Sequence, residues 1–437
     1  MNTTEFMDSI TRTKSRPRVR LRTALLGVAL IATLAAWPFR GLISSRILER
    51  GTLANDSPPP ELVEEMIDTS PHPHQALLSA WNSGKAAHRD VSIFEVRKWV
   101  SSADRIPEEM ESMVRAAAFD PNLNVREIAF RILRKCHDSA LGALAEAQLS
   151  DCDPEVRLMG AEYFRWLNAD VGIPAAIPLL DDSDPRVVVT GLKLLERWTH
   201  QKFGVKLTEI AAGVYDEKTG LKEFRSGSQT KSKAGAERAK AWWTEHRAEF
   251  TSAAITPFTP SSDIQPVLAA DFESSTMDGR TLRLSDFRGK TVLLYFWATP
   301  RPGCVSELED FMALQQKNSN QLAVIAVSVD TVVDDDGDLA GEDDDAGPHD
   351  HAHHHPPPLN QIRQNVARVV MDHGIAFPVI VDDHFAIGGK FDATEPPVTV
   401  VIDSLGFIRR QFTGRRRLPV LEAMVEEANQ PSKASHK

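Results

Sequence analysis

Apolar and polar positions follow three different patterns along this 437-residue chain. The first is the run TALLGVALIATLAAWPF, residues 23–39, which carries no charge. As a helix it reaches roughly 26 Å at ~1.5 Å per residue, a little short of a ~30 Å hydrocarbon core, and predicts a single transmembrane anchor. Arg12, Lys14, Arg16, Arg18, Arg20 and Arg22 precede it. Residues 1–22 therefore read as a basic cytoplasmic tail and the bulk of the chain as extracytoplasmic, the layout of a single-pass protein of a bacterial-type cytoplasmic membrane. A cleaved signal peptide is the competing reading, against which Trp37, Pro38 and Phe39 are bulky where cleavage needs small residues.

The second pattern follows a linker, residues 40–72, whose segment GTLANDSPPP favours a stiff, extended backbone. Over residues 73–250 apolar residues return at three and four positions, as at Val187, Leu192, Leu194 and Leu195, and predict helices with one buried stripe each. A repeat lies within this stretch. NVREIAFRILRK, EVRLMGAEYFRWL and RVVVTGLKLLERW set Val125, Val156 and Val187 at a constant step of 31. Each unit opens on DPNLN, DCDPE or DSDPR, where Asp or Asn caps a helix and Pro suits its first turn. One unit cannot bury both of its faces, so the units must stack, and the pattern resembles short HEAT-like repeats forming an all-α solenoid. Trp242 and Trp243, in the last helix, are placed to cover its final apolar face.

The third pattern begins after a Pro-, Ser- and Thr-rich linker, residues 251–266. Continuous apolar runs, TVLLYFWA and LAVIAVSVD, fit central strands covered on both faces. They alternate with helix-patterned segments and end in PPVTVVIDSLGFIRRQF, two strands joined at Leu405 and Gly406. This alternation over residues 267–430 predicts an α/β sandwich. The expected architecture is thus multidomain: a single transmembrane helix, a HEAT-like solenoid and an α/β domain.

Composition narrows the chemistry. A formal net charge of -11 argues against a nucleic-acid partner, because binding a polyanion draws on an excess of clustered Lys and Arg. Three cysteines, Cys136, Cys152 and Cys304, permit at most one internal disulfide, so the domains must stand on their cores. Cys136 and Cys152 read as small buried hydrophobes, with a bridge between them as the alternative. Cys304 lies in FWATPRPGC, between a strand and a helix. In the first turn of that helix a thiol feels the positive end of the dipole, and Arg301 beside it also favours thiolate.

Here a resemblance becomes specific. DFESSTMDGRTLRLSDFRGKTVLLYFWAT, FPVIVDD and PPVTVVIDSLG are similar to segments of the TlpA/ResA group of thioredoxin-like proteins, in the redoxin superfamily. The likeness covers about residues 271–427. It implies a thioredoxin-like fold, Trp297 at the end of the first central strand, Pro397 as the cis-proline beside the active site, and Glu307 as a Glu the group often carries. The group's loop runs Trp-Cys-Pro-Pro-Cys. Here Arg301 stands where the attacking cysteine belongs, and Cys304 takes the second place.

Disulfide exchange needs one thiolate to attack and a second thiol to clear the mixed disulfide, so the ordinary two-cysteine cycle cannot run. Peroxiredoxins, which resemble this superfamily, keep a reactive cysteine at the second position and often read Pro-Gly-Cys there. Their Thr and Pro, three and seven residues earlier, are replaced by Arg301 and Trp297. They also use an Arg near the substrate, whereas Pro397 follows the thioredoxin pattern. Three readings stay open. Cys304 acts alone, in mixed disulfides or as a one-cysteine peroxidase; the fold is a catalytically silent binding module; or Cys304 borrows Cys136, Cys152 or another chain's thiol. The expected partners are cysteine-bearing proteins or a protein seated on the solenoid.

Residues 331–358 interrupt the α/β pattern with TVVDDDGDLAGEDDDAGPHDHAHHHPPP, predicted to be a disordered acidic loop. His349, His351, His353 and His355 alternate and would share one side of an extended strand. Such a run could hold a divalent metal weakly, while the solvated low-complexity loop is the plainer reading. No other cofactor is expected.

Overall fold

The computed structural model describes residues 48–55, 58, 60–204, 214–216, 221–223, 226–250, 255, 266–332 and 357–430. The helical region contains α1 (Pro60–Asp68), α2 (Pro73–Trp81), α3 (Ala86–Ala103), α4 (Glu111–Ala117), α5 (Leu123–Lys135), α6 (Leu141–Gln148), α7 (Pro154–Tyr163), α8 (Ala169–Ala176), α9 (Pro185–Thr199) and α10 (Ser226–His246). The 31-residue step is visible at the helix starts. Asn122, Asp153 and Asp184 cap α5, α7 and α9, each accepting the main-chain N–H two residues on. Pro154 and Pro185 then sit in the first turn, where a missing N–H costs nothing.

Successive helices pack together: α3 on α5, α6 on α7, α7 on α9, and α9 on α10. Val125, Val156 and Val187 all enter the one core that runs through them. Trp242 and Trp243 pack against that core, with Phe203 and Phe250 around them. Between α9 and α10 lies an antiparallel pair, β1 (Val214–Asp216) and β2 (Leu221–Glu223), within a stretch whose sequence pattern predicts helices.

The last third holds β3 (Val267–Leu268), β4 (Glu273–Ser275), β5 (Thr281–Arg283), β6 (Thr291–Trp297), α11 (Pro302–Lys317), β7 (Leu322–Ser328), α12 (Leu359–Asp372), β8 (Val379–Val381), β9 (Val398–Ile402), β10 (Phe407–Thr413) and α13 (Leu418–Asn429). Its sheet runs β3-β10-β9-β6-β7-β8. The β6, β7 and β8 strands are parallel, β9 runs antiparallel to β6, and β10 runs antiparallel to β9. Alternation along β6 divides two cores. Leu293, Tyr295 and Trp297 face the side covered by α11, α12 and α13, and Val292, Leu294 and Phe296 face the other. Burial on both sides is why β6 and β7 read as unbroken apolar runs.

The two regions meet along β10. The N–H of Gln411 donates to the carbonyl of Pro121 at 2.9 Å, so the turn before α5 covers part of the strand's edge. Next to it Arg410 binds both oxygens of Asp151 at 2.7 Å and Glu427 at 2.6 Å. Beyond the strand, Arg416 reaches Asp153. A cleft of about 1160 Å³ remains between α5, α7, α9, α10 and the segment after β10.

The expected architecture needs correction. Among the described residues no helix is long and apolar enough to cross a membrane, since these helices keep charged or polar faces, as KSKAGAERAKAWWTEH within α10 does. The expected tail at 1–22 and anchor at 23–39 lie outside the described residues. A single transmembrane helix is therefore not supported, and the described fold is a helical N-terminal region followed by an α/β domain. The HEAT-like assignment is likewise not confirmed. His349, His351, His353 and His355 also fall outside the described residues. Among those that are described, no cluster of three or more His, Cys, Asp or Glu could hold a metal ion.

Candidate functional site

The site forms where β6 ends and α11 begins. Thr299 pins the connecting loop: its N–H and hydroxyl donate to the two oxygens of Asp330, at 2.8 and 2.5 Å, just beyond β7. Arg301 is the residue at the head of α11 and has extended backbone. Its guanidinium Nη1 donates to the carbonyl of Pro396 at 2.5 Å, and the Pro396–Pro397 peptide is cis. The carbonyl of Pro397 accepts the N–H of Gly414 at 2.8 Å. Arg301 and Pro397, separated by nearly a hundred residues, thus share one corner of the fold.

Cys304 lies beneath that corner, in the first turn of α11, at 0% exposure. Tyr295 donates its hydroxyl to the carbonyl of Cys304 at 3.0 Å, and Trp297, Leu308 and Phe311 share its core. Burial pushes the Cys304 thiol up to about 12, with Glu307 adding to the effect; Arg301 pulls the other way and loses. At that value ~10⁻⁵ of the thiol is ionised at pH 7. The helix dipole and guanidinium expected to favour thiolate are therefore outweighed by desolvation.

Glu307 is also at 0% exposure. Its Oε1 accepts the main-chain N–H of Arg416 at 3.1 Å, and its Oε2 has no hydrogen-bond partner among the described residues. Burial raises its carboxyl to about 8, against smaller opposing pulls that include Arg415 and Arg416. Trp297 is fully buried with its indole Nε1 also unpartnered among the described residues. The fold thus brings together Trp297, Arg301, Cys304, Glu307 and Pro397.

Cys136 and Cys152 belong to the helical region, and all three cysteines are free, so neither a Cys136–Cys152 bridge nor a disulfide to Cys304 is formed. Cys152 lies against Arg410 and Glu427, with burial raising its thiol to about 11.

Several neighbours escaped the sequence reading. Tyr295 is an ordinary residue inside β6, Thr299 and Asp330 lie just past the ends of β6 and β7, and nothing in their spacing marks them. Arg415 and Arg416 left a weak signal in the cluster GRRRLP. Arg415 binds Ser306 at 2.9 Å and Asp310 at 2.5 Å on α11, while the Nε of Arg416 lies 2.9 and 3.0 Å from the oxygens of Asp153.

Known proteins match this part of the chain. Residues 267–411 match the AhpC/TSA family. The chain is similar to the thioredoxin-like protein YneN of Bacillus subtilis, 25% identical over 146 residues that cover 33% of this chain and 69% of the relative. It is also similar to the thiol-disulfide oxidoreductase ResA of Geobacillus thermodenitrificans, 28% identical over 149 residues, 33% of this chain and 67% of that one. A solved thiol:disulfide interchange protein of Chlorobium tepidum aligns with 22% identity and a TM-score of 0.28, over 38% of this chain and 98% of its own. Residues 267–411 thus match a redoxin family, and a thiol-disulfide oxidoreductase is among the proteins this part of the chain is similar to.

Proposed function

We propose that the redoxin domain is a protein-binding module in which thiol exchange is shut down, mounted on a helical region that supplies further contact surface. The arrangement of Arg301 carries this reading: a guanidinium stands at the place matched by the attacking cysteine and is tied to the carbonyl of Pro396. The remaining sulfur is at 0% exposure and overwhelmingly protonated at neutral pH, so it cannot start an attack. Pro396 adds to the change, because it has no N–H to offer an extended partner chain and its carbonyl is already engaged.

A second reading, thiol exchange by Cys304 alone on cysteine-bearing proteins, draws support from Glu307. A buried carboxyl titrating near 8 is suited to accept the thiol proton once the site opens. The basic-then-apolar start of the sequence supports a location outside the cytoplasm for both readings.

The test compares the full chain with Cys304→Ser. Reduction of a disulfide substrate, turnover of peroxide and trapping of mixed disulfides are measured together with affinity capture of partners. Equal, background-level turnover and the same captured partners are expected from both proteins. Turnover or capture that disappears in Cys304→Ser overturns the binding-module reading in favour of the second.

A further inference from the structure

The segment after β10 touches three parts of the molecule at once. Gly414 bonds the carbonyl of Pro397, Arg415 bonds Ser306 and Asp310 on α11, and Arg416 uses its two ends differently. Its main-chain N–H donates to Glu307, while its guanidinium is held by Asp153 of the helical region. All the groups in this line are buried: Asp153 is at 1% exposure, Arg416 at 6% and Glu307 at 0%.

We propose that the helical region sets the protonation of the redoxin domain's buried carboxyl through this contact, Asp153 neutralising the guanidinium of Arg416 and so controlling how strongly that charge acts on Glu307. The inference is independent of whether Cys304 turns over.

The physical basis is a balance of charges around a carboxyl that is itself fully buried. Glu307 faces Tyr295 from β6, Cys304 from its own helix, and Arg415 and Arg416 from the segment after β10. Arg415 is offset by Asp310, and Arg416 by Asp153. With both cations neutralised, desolvation dominates and the carboxyl keeps its proton into the neutral range. Removing the charge of Asp153 leaves uncompensated the guanidinium of the residue whose main-chain N–H bonds Glu307, and its pull favours carboxylate. Removing the guanidinium leaves Asp153 as an uncompensated anion, which favours the neutral acid. The two changes have opposite signs, whereas loosening the contact alone has no reason to.

Asp153→Asn keeps the helix start intact, because Asn122 performs the same capping at α5. Arg416→Gln keeps the main-chain N–H that Glu307 accepts. In the full chain, the infrared band of the protonated Glu307 carboxyl, assigned by its loss in Glu307→Gln, is followed against pH. Its midpoint is expected to fall by about 1 pH unit in Asp153→Asn, to rise by a similar amount in Arg416→Gln, and to return close to the wild-type value in the double variant. Midpoints that stay put in both single variants, or move in the same direction, overturn the proposal, whatever happens to stability.

Discussion

The Nη1 of Arg301 donates to the main-chain oxygen of Pro396 at 2.5 Å, closing the corner where a thiol pair would act. Arg301→Cys removes that contact and restores two thiols around Pro302 and Gly303. The variant is expected to form a disulfide with Cys304 in air, seen by mass spectrometry as the loss of two hydrogens. It should also reduce a disulfide substrate at least about tenfold faster than the wild-type background. A variant that stays fully reduced in air, at background rate, would show that more than Arg301 separates this site from the redox relatives.

Glu307 links the site to the stability of the domain. Burial raises its carboxyl from an ordinary 4.5 to about 8, so the folded chain favours the neutral form. The stability this group holds is complete below the unfolded value and is lost as pH rises through the folded one. Between about pH 4 and pH 9 the loss is on the order of 4 kcal/mol. Glu307→Gln is expected to remove that dependence, so denaturant midpoints at pH 5 and pH 9 should lie much closer together in the variant. Equal separation in both proteins would contradict the raised carboxyl.

Arg410 and Asp151 join the two regions, with side chains at 9% and 11% exposure. Asp151→Ala leaves the guanidinium of Arg410 with the largely exposed Glu427 as its anionic partner and takes the same carboxylate from Arg126. A loss of about 3 kcal/mol is expected in urea unfolding of the full chain. Replacing both partners, Asp151→Leu with Arg410→Met, should recover only part of it, because Arg126, which also pairs with Asp151 at 3.5 Å, then loses that partner.

Gly160 marks a close approach of two helices, with main chain as the nearest neighbour. A Cβ there would stand 2.6 Å from the carbonyl of Ala145 on α6 and 2.9 Å from Gln148. Gly160→Ala should lower thermal stability by about 1–3 kcal/mol through forced separation of α6 and α7. An unchanged midpoint would argue against this packing.

Local chemistry was legible in the sequence, and long-range contacts were not. The capping residues Asn122, Asp153 and Asp184 announced helix starts because a cap acts within two residues. The runs containing Tyr295 and Ala326 announced central strands because burial on both faces leaves no polar position. Cys304 was legible as a residue of a helix's first turn, but its burial was not, since that depends on Trp297, Leu308 and Phe311 closing over it. The Arg416–Asp153 and Arg410–Asp151 pairs join residues more than 250 positions apart, and neither end carries a pattern naming the other. The uncharged run at 23–39 suggested a membrane span from length and hydropathy alone, while the described helices are built to pack against protein.

The state of one sulfur tests the account most directly. In the full chain at pH 7, alkylation of Cys304 is followed by mass spectrometry of its peptide, native and then in denaturant. With its thiol held near 12 rather than the ordinary 9, Cys304 should react roughly 10³-fold more slowly in the native chain than in the unfolded one. Native labelling at a rate close to that of the unfolded chain would mean an open, ionised thiol and would contradict a silent site.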